Sequence, residues 1–354
     1  MTETELKNLL KTVAPPDEAA RAAAHAHWAA LAKPLDGLGQ LETMVEAAAA
    51  LTGDPAPDFT CRAVLVLCAD NGVVAQGVSQ TDASVTRAVL ENLTARRTSV
   101  CCMAAAAHCE VVPVDMGIAG VPVPGAVDRR VAPGTRDFTQ GPAMTREQTV
   151  QAIAAGIELV RTQKQNGVQL LATGEMGIGN TTTSSAVAVV LLGRPAAEMT
   201  GRGAGLTSEG LVRKINAIKK AIALNEPDPE DAIDVLAKVG GLDIAGMAGV
   251  FLGGAVYGIP VVMDGFISCV SALIAMRICP AARDYILASH VSKEPAAHLI
   301  LENMGKEAII HADMCLGEGT GAVALFPILD LAAAVYHSMS TFDDIHVEQY
   351  EELK

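Results

Sequence analysis

The chain has 354 residues, a net charge of −14, half its residues hydrophobic and only 3% aromatic. That length suits one large α/β domain with a smaller companion, its core built mainly from Ala, Val, Leu and Gly. The acidic balance and the scarcity of aromatics argue against nucleic acid, which calls for basic patches and stacking platforms. An anionic substrate would have to be held locally, by glycine loops and a few placed cations.

The start, M-T-E-T-E-L-K, is acidic and polar and does not read as a signal peptide. The eight cysteines include no C-x-x-C pair, and Cys101 and Cys102 are adjacent, so reduced thiols in a cytoplasmic protein are expected. His311, Asp313 and Cys315 fit no common metal spacing, and neither a metal nor another cofactor is expected.

The first fifty or so residues read as helices over 5–13, 17–32 and 40–51, followed by the linker T-G-D-P-A-P-D at 52–58. Short apolar runs then alternate with helix-period segments, the pattern of parallel β-α units. Runs at 63–68, 111–114, 168–173, 259–263 and 285–289 are the expected strands. Each delivers a polar group at or just past its carboxyl end: Asp70, Asp115, Glu175, Asp264 and His290. In open α/β sheets that edge is where ligands bind; the alternative is five unrelated caps.

Between the third run and a helix-like segment at 184–192 lies G-E-M-G-I-G-N-T-T-T, residues 174–183. Glycines that turn amides inward, ahead of a helix N-terminus, make an anion cradle. Glu175 within it points to a ligand with an anionic end and a hydroxylated or cationic part, such as a ribose phosphate. The plainer alternative is a tight turn with Asn180 or Thr181 as N-cap. A second glycine cluster, G-R-G-A-G at 201–205, precedes a helix at 209–224 carrying Lys214; it is either another phosphate or ribose cradle or a surface turn before a solvated lysine. No G-x-G-x-x-G follows a strand, so a nicotinamide dinucleotide site has little support.

Residues 244–263 are uncharged for twenty positions, long enough to span a bilayer. The many glycines, Pro260 and the bracketing Asp243 and Asp264 favour a helix to about residue 256, a turn at 258–260 and a strand at 261–263, with no membrane span. Further on, Glu318 sits between Gly317 and Gly319 ahead of the apolar run 322–326. A lone carboxylate there would be partly desolvated and tuned toward general-base work, or would simply favour a helix N-terminus. The tail at 342–354 reads as an acidic helix.

Taken in order, these motifs resemble the nicotinate-nucleotide:dimethylbenzimidazole phosphoribosyltransferase family, whose products become the lower ligands of cobamides. The resemblance covers nearly the whole chain: K-P at 33–34, G-L-G-Q-L-E at 37–42, A-D-N-G-V at 69–73, G-V-S at 77–79, G-T at 134–135, G-P-A-M-T at 141–145, then 174–182, 201–205, G-L-D-I-A-G at 241–246, D-G at 264–265, S-H-V-S at 289–292 and G-E-G-T-G at 317–321. It implies a Rossmann-like parallel α/β domain over 59–330, a small helical domain from both chain ends (1–58 and 331–354), and a dimer with sites near the interface. It also implies roles. Glu318 matches the general base. Glu175, Gly177, Asn180, Thr181, Gly203, Lys214 and Ser292 match positions around the phosphoribosyl group and the departing nicotinate, with Asp243 and Asp264 nearby.

Four departures fall in or beside the acceptor region, which takes in Thr81, Thr86, Val89, Met176 and Leu316, and those at Asn71 and Val89 matter most. Asn71 stands where a histidine is usual. Val89 stands where relatives that use benzimidazole carry a glutamine; Met176 replaces a common leucine, and Thr81 a common serine. The pocket so described is less polar and more adaptable, which suits a phenolic acceptor such as phenol or p-cresol as well as a benzimidazole or purine. In the phenol-using branch the partner subunit is a paralogue, so a homodimer and a heterodimer both stay open. The rival readings are a non-catalytic paralogue supporting an active partner and a nicotinamide-dependent oxidoreductase.

Overall fold

The computed structural model describes residues 1–350. Six strands form one sheet: β1 (Arg62–Ala69), β2 (Glu110–Gly117), β3 (Val127–Asp128), β4 (Leu170–Met176), β5 (Val261–Met263) and β6 (Ile286–Ala288). Their order is β3-β2-β1-β4-β5-β6, every neighbouring pair parallel. This is the doubly wound order, in which the strand sequence reverses between β1 and β4 and opens a crevice at their carboxyl ends.

Five of the strands lie where the apolar runs predict them. β3 was not expected, because it is only two residues long and exists through its pairing of Val127 with Val114. β4 runs on to Met176, so Glu175 belongs to the end of the strand, opposite Leu67 of β1, and not to the loop after it.

Alternation along the central strands feeds two cores. Leu65 and Leu67 of β1 join Leu171 and Val261 against Ile153, Val250 and Phe251 of the helices Arg146–Gln165 and Leu242–Tyr257. Val64 and Val66 join Leu170 and Val262 against Val45, Leu90, Val100 and Leu325, from the helices Gln40–Thr52, Ser84–Thr94, Ser99–Ala106 and Thr320–Ser338. The uncharged stretch 244–263 is a helix closed by Gly258 in the left-handed region, then β5. Its glycines serve packing: a Cβ on Gly249 would run into the Ile153 carbonyl, and one on Gly156 into that of Gly246. The two helices therefore meet backbone to backbone.

The helix Thr320–Ser338 is 19 residues long and continues through residue 330, with Pro327 inside it. Among the described residues it is the one helix long and apolar enough to cross a membrane, and half of its apolar window is buried in the protein. Beyond it the chain ends meet. Leu31 bridges Thr341 antiparallel, Phe342 N donates to Ala30 O (3.0 Å), and Trp28 lies edge-on to Tyr336. This pairing overturns the expected helix at 342–354: Thr341 and Phe342 are committed to Asp344 and Ala30, and residues 343–350 are turn followed by irregular chain. The last four residues of that expected helix lie outside the described residues. All eight cysteines are unpaired.

Candidate active site

Three glycines decide how the carboxyl end of β4 is built. Gly174 has no room for a side chain because the Glu318 carbonyl lies against its Cα. Gly177 is hemmed in by Ala69 O, Asp243 and Asn71, each 2.7–2.8 Å from where a Cβ would stand. Gly179, at φ +94°, turns the chain into the helix Asn180–Leu192 and is its N-cap. The alternative of Asn180 or Thr181 as N-cap does not occur. Asn180 is spent elsewhere: its Nδ2 donates to Glu175 Oε2 and to Asp243 Oδ2 (3.0 Å), one amide held between two buried carboxylates. Thr181 Oγ1 accepts from Lys214.

Burial pushes the Glu175 carboxyl up to about 8, and the nearby Asp243 carboxylate adds to the effect. Burial likewise pushes Asp243 up to about 6, opposed by the Asn180 amide. Two carboxyls sharing one amide in a dry setting cannot both ionise without cost, so Glu175 is the one that keeps its proton near neutral pH.

The second glycine cluster lies against the first. Gly203, at φ +52°, packs over Thr181, and its amide donates to Glu294 Oε1 (3.0 Å). Lys214 is fully buried, with Nζ donating to Thr181 Oγ1 (2.8 Å) and Gly201 O (3.2 Å). Burial pushes its ammonium down to about 8. The solvated-lysine alternative is thereby excluded. Lys214 ties the first glycine loop to the second and places a cation between them.

Glu318 arrives from the far end of the chain. Its amide donates to the Glu175 carbonyl (3.2 Å), and its Oε2 accepts from Val100 N (3.1 Å) in the first turn of the helix Ser99–Ala106. The residue has φ +61° between Gly317 at +90° and Gly319 at +92°, three consecutive left-handed positions. Asp264, at the end of β5, accepts from the amides of Gly319, Gly321 and Ala322.

A cavity of about 290 Å³ opens over this edge. Of the residues singled out from sequence, Glu175, Met176, Gly177, Asn180, Thr181 and Gly203 line it, as do Asp264, Ser292, Val89, Leu316 and Glu318. Four do not. Lys214 stands behind Thr181 and Asp243 behind Asn180. Thr86 is buried under the first loop, where its Oγ1 accepts from Ile178 N (3.1 Å), and Thr81 is exposed outside the cavity. The wall also uses His290, expected at the strand edge but given no role, and Gln80, Arg202 and Glu294, which were not assigned to the site from sequence. Arg202 lay inside the glycine cluster G-R-G-A-G and His290 ended a predicted strand. Nothing local marked Gln80, whose amide donates to Ala204 O (3.2 Å) and Gly205 O across the two loops. His311, Asp313 and Cys315 are exposed, and the described residues contain no group of three metal-ligating side chains.

A doubly wound parallel sheet, a cavity at its strand-order reversal, two glycine loops with a buried lysine and a pair of carboxylates define a Rossmann-type protein with a ligand-sized site at its switch point. Comparison with known proteins is specific. The phosphoribosyltransferase family model matches residues 13–347. A nicotinate-nucleotide–dimethylbenzimidazole phosphoribosyltransferase of Ruminiclostridium cellulolyticum is 48% identical over 325 residues, 92% of each chain. The enzyme of that name from Escherichia coli is 41% identical over 336 residues, 94% of each. The crystal structure of CobT from Thermus thermophilus superposes with a TM-score of 0.89 at 40% identity, covering 94% of this chain and all of that one. The chain belongs to the nicotinate-nucleotide–dimethylbenzimidazole phosphoribosyltransferase family.

Proposed function

We propose that this protein transfers the phosphoribosyl group of nicotinate mononucleotide to an aromatic base, with release of nicotinate and formation of an α-riboside 5′-phosphate. The observation that carries the reading is the backbone hydrogen bond from Glu318 to Glu175, which sets two carboxylates on one cavity beside the glycine loops bound together by Lys214. Loop amides hold the phosphate, and the Lys214 charge behind Thr181 adds to the positive field there without touching it. The ring nitrogen of nicotinate mononucleotide is already quaternary, so its bond to C1′ breaks to give a neutral pyridine ring without an acid. The acceptor nitrogen attacks C1′ from the opposite face, turning β into α, and its remaining N–H proton passes to Glu318. Holding the two reactants in line supplies much of the rate, and a positioned base adds about 10²–10⁴-fold.

The relatives' name makes dimethylbenzimidazole the first acceptor to test. Val89 and Met176 favour a second: both line the cavity without a hydrogen-bonding group, which supports a phenolic base joined through oxygen. Leu316 lines the cavity yet is 57% exposed, which supports a second subunit, identical or paralogous, closing the acceptor side. The pairing of Leu31 with Thr341 supports one small helical domain made from 1–58 and 331–354 around the larger 59–330.

The test is incubation of the purified chain with nicotinate mononucleotide and, separately, dimethylbenzimidazole, adenine, phenol or p-cresol, with products read by mass spectrometry. An α-riboside phosphate with any acceptor supports transfer. Product from phenolics alone would fix the acceptor class. No product with any acceptor, alone or with a paralogous subunit added, would overturn the reading and bring the non-catalytic one forward.

A further inference from the structure

In the run 317–319 three successive residues have positive φ, and the non-glycine one, Glu318, needs its neighbours to hold it there. The restraints are visible on both sides of Glu318. On its amino side the Glu318 amide is fixed to the Glu175 carbonyl. On its carboxyl side Gly319, the N-cap of the helix Thr320–Ser338, has no side chain to cap the helix. The cap comes from another strand: Asp264 Oδ2 accepts from Gly319 N (3.1 Å), and Oδ1 from Gly321 N (2.7 Å) and Ala322 N (3.2 Å). A carboxylate at a helix N-terminus also meets the positive end of the helix dipole.

Asp264 is itself held. Its amide donates to Ser268 Oγ (3.1 Å), which is hydrogen-bonded in turn to Thr173 Oγ1 of β4 (2.6 Å). The His290 ring lies behind the carboxylate, Nδ1 at 3.8 Å from Oδ1, and faces Gly321 so closely that no side chain fits there. Asp264 borders the cavity but is only 3% exposed, and both of its oxygens are used on the helix start.

We propose that Asp264 is a positioning residue, backed by His290, that sets the turn carrying Glu318, and that it does not bind substrate. The inference rests on Glu318 acting as the base. Asp264→Asn keeps the shape and one acceptor oxygen but turns an amide NH₂ toward the Gly319 N–H, so the Glu318 turn loses one of its two anchors.

The test is a double-mutant cycle with Glu318→Gln, assayed with nicotinate mononucleotide and dimethylbenzimidazole. D264N is expected to lower kcat by about 10- to 100-fold when Glu318 is present, the scale of a misplacement near 1 Å, with KM for nicotinate mononucleotide nearly unchanged. In the E318Q background the same change should lower kcat by less than about twofold, because the group being positioned is gone. An equal loss in both backgrounds, no loss in either, or a raised KM with kcat intact would overturn the proposal. If E318Q alone turns over at the parent rate, the base assignment itself falls. Should D264N not fold, Asp264→Glu, which keeps the charge but displaces the carboxylate, is carried through the same cycle with the same expectations.

Discussion

At the scale of single residues the site is defined by buried charge. The folded chain holds the Glu175 proton up to about pH 8 against an ordinary 4.5, and that of Asp243 up to about 6 against 3.8. Over those intervals the folded state binds more protons than the unfolded one, so these groups make stability fall as pH rises from about 4 to about 8. Lys214 has the opposite sign. Its value is pushed down from 10.5 to about 8, so the unfolded chain binds more protons between those limits and stability recovers as pH climbs through them. Urea midpoints across this range should show the consequence as difference curves: Glu175→Gln removes the part of the fall between about pH 6 and 8, leaving the Asp243 part below it, and Lys214→Met removes the rise above pH 8. A Glu175→Gln curve parallel to the parent would mean that Glu175 is not a retained proton. Acceptor choice belongs to the same scale. Val89→Gln should shift kcat/KM toward dimethylbenzimidazole over p-cresol by about 10-fold, the worth of one hydrogen-bonding group in a pocket. An unchanged ratio would remove Val89 from the acceptor argument.

At the scale of elements, the strands were legible because β-α alternation leaves apolar runs of the right length, and because each delivered a polar side chain to the same edge. Glu175, Asp264 and His290 were found that way. What could not be read was long-range: the Glu318 carboxylate accepting from Val100, Asn180 sharing its amide between Glu175 and Asp243, Gln80 reaching across to Ala204. Such contacts follow from how helices dock, and no local pattern encodes them. The tail failed for a related reason, since its helical composition lost to backbone pairing with Ala30. Gly174 shows how tightly one element depends on another. Gly174→Ala would push β4 against the 317–319 turn, at a cost of about 1–3 kcal/mol for overpacking. Its activity should fall much further than its thermal midpoint suggests; a variant with lowered stability and full turnover would break the link between strand and turn.

At the scale of the whole molecule, the cavity is assembled from parts lying far apart in the chain. β4 supplies one carboxylate from the centre of the sheet, and the turn leading into the helix Thr320–Ser338, which covers the opposite face from Leu242–Tyr257, supplies the other. A second subunit packed on the exposed Leu316 would stand on the cavity wall beside the proposed acceptor side. Light scattering with and without an acceptor should therefore show tighter association when the acceptor is bound, and association indifferent to it would separate the interface from the pocket.

The bond between Glu318 and Glu175 also sets a timetable for the chain as it is made and folded. Helices rich in local contacts form early, whereas contacts between distant segments wait for loop closure. The helices of the earlier segments can form while the second carboxylate is still unfolded or not yet synthesised. During refolding, helical circular dichroism should thus recover before transferase activity does. For that interval the chain would have helical structure and no means of taking a proton from its acceptor.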